Sequence, residues 1–363
     1  MSIQAAMDEA LGEATDANSA IDRFYEKVQV RDFDWGSPGI QEFDSIMSTF
    51  AGWVMSEKKK VDQGPASPLA RAEIVRYIQA YVKGKPTAAF LDIHPAVFGI
   101  QLAMRVRRPR SMDQDDSSLC GAVAVIYNFA KFDPLRFAQF ALHLFFLGQA
   151  MFGEMEVQPT NQIRQNFPLR KTKIPWAVDY VTLVSLRQCT FFSDKLKIGA
   201  LRGADETTLP GQIGLWLTQA GYHNVEDHTF FAKNQVKLVK AFASKVGQPM
   251  HLSGATGDAQ NKVDRRGYPY QNLQLAEQAL RNGKFIIIFS DGELGRMLRG
   301  DTFKPRTSPT KLGDHHWMAV RQLQIFSDTY VKLKVITWST SFKKTLNMED
   351  FIPRYNGFVS AEP

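Results

Sequence analysis

A cysteine followed by glycine at the start of an apolar helical run is a place where a thiol can become a nucleophile. Cys120-Gly121 opens such a run, Cys120-Gly121-Ala122-Val123-Ala124-Val125, and Gln114 stands six residues before the cysteine. A thiol is a weak nucleophile until it loses its proton, and a helix N-terminus or a neighbouring imidazolium stabilises the thiolate. Gly121 would let a substrate carbonyl approach closely. Gln114 could donate its amide to an oxyanion beside the Cys120 backbone N–H. Asp113, Asp115 and Asp116 act in the opposite sense, because nearby negative charge raises a thiol pKa unless it is solvated. The second cysteine, Cys189, reads as mid-helix among apolar neighbours without a glycine, and is assigned a structural part.

A nucleophilic thiol needs a base. His94, His143, His223, His228 and His251 are isolated, without i,i+4 pairing or Cys/Asp neighbours, so no metal site and no cofactor site is expected. His315-His316 is different: it follows a Gly313-Asp314 turn and leads into the apolar Trp317-Met318-Ala319-Val320. A histidine at the mouth of a strand is held rigidly and can face a cleft. His316 is the preferred base; His315 points to the opposite face and is the secondary candidate.

The elements that must position these residues fall into two kinds. Residues 1 to about 90 read as helical: Ala5 to Val28, then Ile40 to Met55 with Phe43, Ile46, Met47, Phe50 and Val54 at helical spacing, then Pro68 to Val82, ended by Gly84-Lys85-Pro86. This block carries no chemistry and suits a docking, delivery or pro-region. Met104 to Asp116 is polar and reads as a loop. Helices are expected over Cys120 to Lys131, from Asp133-Pro134 to about Phe152, over Trp176 to Phe191, and over Pro210 to Ala220 with Thr208 as a possible N-cap. Beyond residue 230, Gln271 to Arg281 is helical. Lys284 to Phe289, Trp317 to Ile325, Tyr330 to Trp338 and Phe351 to Val359 read as strands. The pattern is α+β, with helices and a mostly antiparallel sheet segregated along the chain.

The formal net charge of +7 favours anionic partners in principle, but the basic residues are dispersed and no nucleic-acid motif accompanies them. The N-terminus has no basic n-region followed by an apolar core. The most apolar window, Phe137 to Phe152, is interrupted by Gln139, His143 and Gln149, so no membrane span and no Sec-type signal are expected. Two cysteines argue against a disulfide scaffold and for synthesis in the cytoplasm. A non-enzymatic protein, binding through its basic, aromatic-rich surface, is the reading of another class.

In order and spacing, these residues resemble the papain-like cysteine peptidase superfamily. The matching elements are Gln114, Cys120-Gly121 at a helix start, the strand-leading His316-Trp317-Met318-Ala319-Val320, and a strand ending in Thr337-Trp338-Ser339. The Cys-Gly-Ala helix and the His-aromatic strand look more like bacterial double-glycine leader peptidases than like papain, and they also resemble papain-like toxin effectors of the type VI secretion kind. The resemblance implies Cys120 as nucleophile, His316 as general base and acid, and Gln114 as oxyanion donor. The family's orienting Asn or Asp is replaced here by Thr337, Trp338 or Ser339, with Asp314 and Asp328 as further carboxylates. It also implies a catalytic domain over residues 91–363 with a helical insertion at about 134–270. The expected activity is cysteine-dependent cleavage of a protein substrate, with deamidation or cell-wall amide cleavage as alternatives. The expected partners are a cognate immunity protein and a secretion machine that would engage residues 1–90 and carry the toxin into a target cell.

Overall fold

The computed structural model describes residues 1–28, 33–58, 64–85, 87–113, 119–165, 176–189, 208–230, 268–300, 315–337 and 340–363. The architecture is α+β. By packing, the chain divides into two compact units: Met1–Asp113, Ile126–Met151 and Glu156–Leu186 form the first, and Gln114–Val125, Phe152–Met155 and Arg187–Pro363 the second.

The first unit is helical. Its helices are α1 (Ile3–Gly12), α2 (Ala17–Val28), α3 (Ile40–Met55), α4 (Pro68–Lys83), α5 (Pro95–Arg107), the later part of α6 (Cys120–Phe132) and α7 (Pro134–Leu147). Their ends follow local chemistry. The Ser67 hydroxyl accepts the Ala70 N–H at 3.1 Å, with Pro68 in the first turn of α4. Asp133 does the same for Arg136 at 3.0 Å before Pro134, and Gly148 closes α7 with φ +73°. The apolar stripe Phe43, Ile46, Met47, Phe50 and Val54 is buried, and the Phe98 and Phe145 rings stack 4.0 Å apart.

Three helical expectations need correction. The helix expected to run to about Phe152 ends at Leu147, because Gly148 caps it in a left-handed conformation, and Ala150–Phe152 is a strand. The loop expected from Met104 begins later, because α5 runs to Arg107. The arginines that gave this stretch its polar look are buried and paired: Arg105 with Asp179, Arg107 with Glu57. The run from Trp176 is helical but not uniform. Ala177–Asp179 leads into a π-helical turn at Tyr180–Val184 and then Ser185–Cys189, where this stretch of described residues stops.

The second unit holds an antiparallel sheet. After a short hairpin, β1 (Ala150–Phe152) and β2 (Met155–Val157), come β3 (His223–Asp227), β4 (Phe285–Asp291), β5 (His315–Phe326), β6 (Tyr330–Thr337), β7 (Thr340–Asn347) and β8 (Tyr355–Glu362). The last six form one sheet in the order β3-β8-β4-β5-β6-β7, every neighbouring pair antiparallel. Every residue of β4 is buried, and so are the first six of β5, which is why these strands read as continuous apolar runs. The outer half of β5 and the start of β6 have one wet face. Leu273 and Ala276 of the helix Tyr268–Arg281 pack with Ile286, Ile288, Met318, Val320, Leu333 and Val335 on one side of the sheet.

The strand expected at Phe351 starts four residues later, because Met348–Phe351 is a helical turn followed by a 3₁₀ turn. Gly357 inside β8 has φ +99°, and a side chain there would collide with the His228 backbone. β3 and β7 carry too few apolar residues to declare themselves in the sequence, and the hairpin strands are only three residues each.

Candidate active site

Cys120 is the first residue of α6 and is 7 % exposed. Its thiol lies in the second unit, near enough to the backbone amides of Trp317 in β5, of Gly121 and of Cys120 itself for them to favour its thiolate. Burial is the dominant influence and pushes the thiol above its ordinary range. The Trp317 and Gly121 amides and the nearby Arg187 guanidinium pull the other way by favouring thiolate. The resting sulfur is therefore a protonated thiol already surrounded by the groups that would stabilise its anion.

His316 is the residue before Trp317 in β5. It is 5 % exposed, and its Nε2 lies 2.6 Å from the Oγ1 of Thr337, itself 2 % exposed. Sheet register explains the meeting. Ala319 is opposite Ile336, so Thr337 falls diagonal to His316 on the same face. Of the three orienting candidates, Thr337 touches the ring; Trp338 and Ser339 lie outside the described residues, as do Gln114, Asp314 and His251. Asp328 is at the other end of the β5–β6 hairpin, where it accepts from the Tyr270 hydroxyl at 3.1 Å. Burial holds the His316 imidazole neutral, down at about 3. A threonine hydroxyl both donates and accepts, so Thr337 fixes the ring's direction without imposing one tautomer.

His315 takes the other face. Its ring stacks on Phe289 at 4.8 Å, and Phe289 stacks on Trp317 at 4.4 Å. Alternation along β5 thus separates the two histidines: His316 meets a hydroxyl, His315 an aromatic stack. Cys189 is half-buried. His228 stacks on Phe358 and lies 3.5 Å from Glu226. Among the described residues, no group of three or more His, Cys, Asp and Glu side chains stands together as a metal site would require.

Three contributors escaped the sequence reading. The backbone N–H of Trp317 gives no sequence signal at all. Arg187 was passed over as a flank of Cys189, although a fully buried arginine in Leu186-Arg187-Gln188 is a signal in itself; its Nη1 donates to Gln212 Oε1 at 3.2 Å. Thr208 was read as an N-cap, but Leu209 occupies that position, and its N–H is taken by Gln212 Oε1 at 2.8 Å. Thr208 lies over Gly121 instead. A Cβ on Gly121 would come within 2.6 Å of Thr208 Oγ1 and Cγ2. The space beside this glycine, expected to admit a substrate carbonyl directly, is taken up by the Thr208 side chain.

No family model, curated protein or solved structure matches this chain. Among the described residues, no helix is long and apolar enough to cross a membrane.

Proposed function

We propose that the chain is a cysteine-dependent amide hydrolase of papain-like architecture, acting on a protein substrate as a bacterial effector. One observation carries the reading: His316, hydrogen-bonded at 2.6 Å to Thr337, directly precedes Trp317, whose backbone amide favours the thiolate of Cys120 at a helix start. That combination supplies a nucleophile, a base and an orienter for the base.

In this scheme the Cys120 proton passes to the imidazole nitrogen not engaged by Thr337 as the sulfur attacks the amide carbonyl carbon. The carbonyl π pair moves onto oxygen, where the Cys120 N–H, and Gln114 as the resemblance implies, would receive it. Collapse of the adduct expels the amine, which takes its proton from His316, and a thioester remains. Water, deprotonated by His316, then releases the acid and restores the thiol. The resting pair is neutral, so proton transfer accompanies attack instead of preceding it. An immunity protein closing the site, and delivery through residues 1–90, belong to the same proposal and rest on the resemblance alone.

Expression in bacteria tests it. Wild type and Cys120→Ala, His315→Ala and His316→Ala variants are compared for toxicity and for changes across the proteome. New protein termini that vanish with Cys120→Ala and His316→Ala select a peptidase. A gain of about one dalton on glutamine selects a deamidase, the mass difference between an amide and an acid, and altered cell-wall fragments select an amidase. Full toxicity in Cys120→Ala removes the nucleophile assignment; loss with His315→Ala alone reverses the choice of base.

The burial of Cys120, which raises its pKa, favours a second reading in which it is an inert core thiol of a binding protein. Iodoacetamide separates the two. A base-assisted thiol is alkylated near neutral pH at a rate that falls tenfold or more in His316→Ala. An inert one is alkylated equally slowly in both.

A further inference from the structure

The strongest unexplained group in the second unit is the Thr208 hydroxyl. Thr208 is 0 % exposed, and its Oγ1 has no hydrogen-bond partner among the described residues. Its position is nonetheless tightly fixed. The Thr208 carbonyl accepts from Trp317 Nε1 at 2.9 Å, Trp317 is held against Phe289, and the helix Pro210–Gln219 starts two residues on. Valine would fill the same volume without burying an unpaired hydroxyl, a group whose desolvation is costly when nothing bonds it. The hydroxyl also lies against one particular backbone. It is 2.6 Å from where a Gly121 side chain would begin, as is the Thr208 methyl, in the first turn of a 13-residue helix. A helix N-terminus attracts negative charge, and this one has a fully buried, unpaired hydroxyl packed against its first turn.

We infer that Thr208 Oγ1 donates a hydrogen bond to the oxyanion formed when Cys120 attacks a carbonyl, so that Thr208 and the first-turn amides of α6 form the oxyanion hole. The inference rests on Cys120 being the nucleophile, and it assigns the hole to a residue 88 positions downstream of the cysteine instead of to Gln114 alone. The ligand is any amide or ester carbonyl at the moment it becomes tetrahedral. The sulfur lone pair forms the S–C bond, the C=O π pair becomes the oxyanion lone pair, and the Thr208 proton is shared with it without being transferred. The hydroxyl is unpartnered at rest because its partner exists only during the reaction.

Two electrophiles separate this role from any effect on the sulfur itself. p-Nitrophenyl acetate acylates a thiol through a tetrahedral oxyanion and releases p-nitrophenolate. Iodoacetamide alkylates the same thiol by displacing iodide at a saturated carbon, with no oxyanion. Both rates are measured at Cys120 in the full chain with Cys189→Ser as background, for wild type, Thr208→Val and Thr208→Ser, with thermal melts alongside. The expected result is an acylation rate about 100-fold lower in Thr208→Val. Its alkylation stays within about twofold, and Thr208→Ser, which keeps the hydroxyl, restores most of the acylation. A Thr208→Val protein that acylates at the wild-type rate, or that loses both reactions equally, overturns the inference. The first outcome makes the hydroxyl idle and the second makes it a support for the sulfur. Failure of the parent reading looks different: p-nitrophenolate release that survives Cys120→Ala, or wild-type alkylation indifferent to His316→Ala, whatever stands at residue 208.

Discussion

The two units bury polar groups in opposite ways. In the helical unit, Arg105 and Asp179 are both essentially inaccessible and joined by two bonds, Nε to Oδ1 at 2.9 Å and Nη2 to Oδ2 at 2.7 Å. Every side of the pair is occupied. Arg105 Nη1 donates to Ser111 at 2.9 Å, the guanidinium lies 4.3 Å over the Trp176 ring, and Asp179 also accepts the Asp113 N–H at 3.0 Å. In the sheet unit, Cys120 and His316 are also buried, but they meet amides and a hydroxyl, with the Arg187 guanidinium near the thiol in place of a direct ion pair. Charge buried with a full complement of partners fixes structure. Ionisable groups buried without a direct counterion give up their charge.

The contrast predicts its largest effect at Asp179. Asp179→Ala leaves a guanidinium in the core without its counterion and removes the acceptor that pins Asp113, and it should cost about 3–5 kcal/mol in urea unfolding. The double variant Arg105→Met/Asp179→Leu should recover most of that, since replacing a buried pair by apolar groups of similar volume is often nearly neutral. A single substitution costing under about 1 kcal/mol would show the pair to be dispensable, and the contrast between the units would collapse.

Next comes pH. Burial holds His316 down at about 3, below its ordinary 6.5, and holds Asp291, the N-cap of the helix Gly292–Arg299, up at about 6 from 3.8. Below 6.5 the unfolded chain binds a proton at His316 that the folded chain refuses. Stability from this group is therefore present above 6.5 and lost as pH falls toward 3. Asp291 has the reverse sign, because its folded form keeps a proton that the unfolded form releases. Its contribution is present below 3.8 and lost as pH rises through 6. Each slope approaches about 1.4 kcal/mol per pH unit, and between about 4 and 6 they offset. Removing one should expose the other. Urea midpoints should fall with rising pH across 4–6 in His316→Gln and rise across it in Asp291→Asn. Parallel curves for the three proteins would mean that neither group is held neutral.

A smaller effect is expected at Thr337. Thr337→Val keeps the shape and removes the 2.6 Å bond between the Thr337 hydroxyl and the His316 ring. It should slow iodoacetamide alkylation of Cys120 about tenfold, in the range of a lost positioning contact for a base. Thr337→Ser should restore it. If valine is harmless, the ring is held by packing alone, and the hydroxyl has no part in the sheet unit's neutral arrangement.

How far all this was legible varies with what the signal depended on. The α+β class was readable because helical stripes such as Phe43 to Val54 and apolar strands such as β4 encode their burial directly. His316 and Thr337 could be nominated because strand alternation is short-range. Gln114, Trp338 and Ser339 fall outside the described residues, so the structure adds nothing to them. Arg105 and Arg107 misled, since composition cannot distinguish a solvated arginine from one paired across 74 residues. Thr208 misled for a similar reason: its neighbour Pro210 announces a helix start, whereas the contact that matters is with Gly121, distant in sequence and set by tertiary packing.

The smallest effect tests the division of labour between the adjacent histidines. His315 is 9 % exposed and takes its place through Phe289, whose ring lies 4.8 Å away at an interplanar angle of 16°. If its contribution is the stack alone, phenylalanine should substitute for it. An aromatic pair of this kind contributes about 0.5–1.5 kcal/mol beyond area burial, and His315→Phe retains it. The variant should therefore unfold within about 0.5 kcal/mol of wild type, as an isosteric change does. Its Cys120 alkylation rate should stay within about twofold, small beside the loss expected on removing His316. His315→Ala, which removes the ring from against Phe289 and Trp317, should lose more stability than His315→Phe. An alkylation defect in His315→Phe as deep as that of His316→Ala would mean that the imidazole chemistry is shared between the two faces of β5, and that alternation along the strand does not separate structural burial from reactive burial.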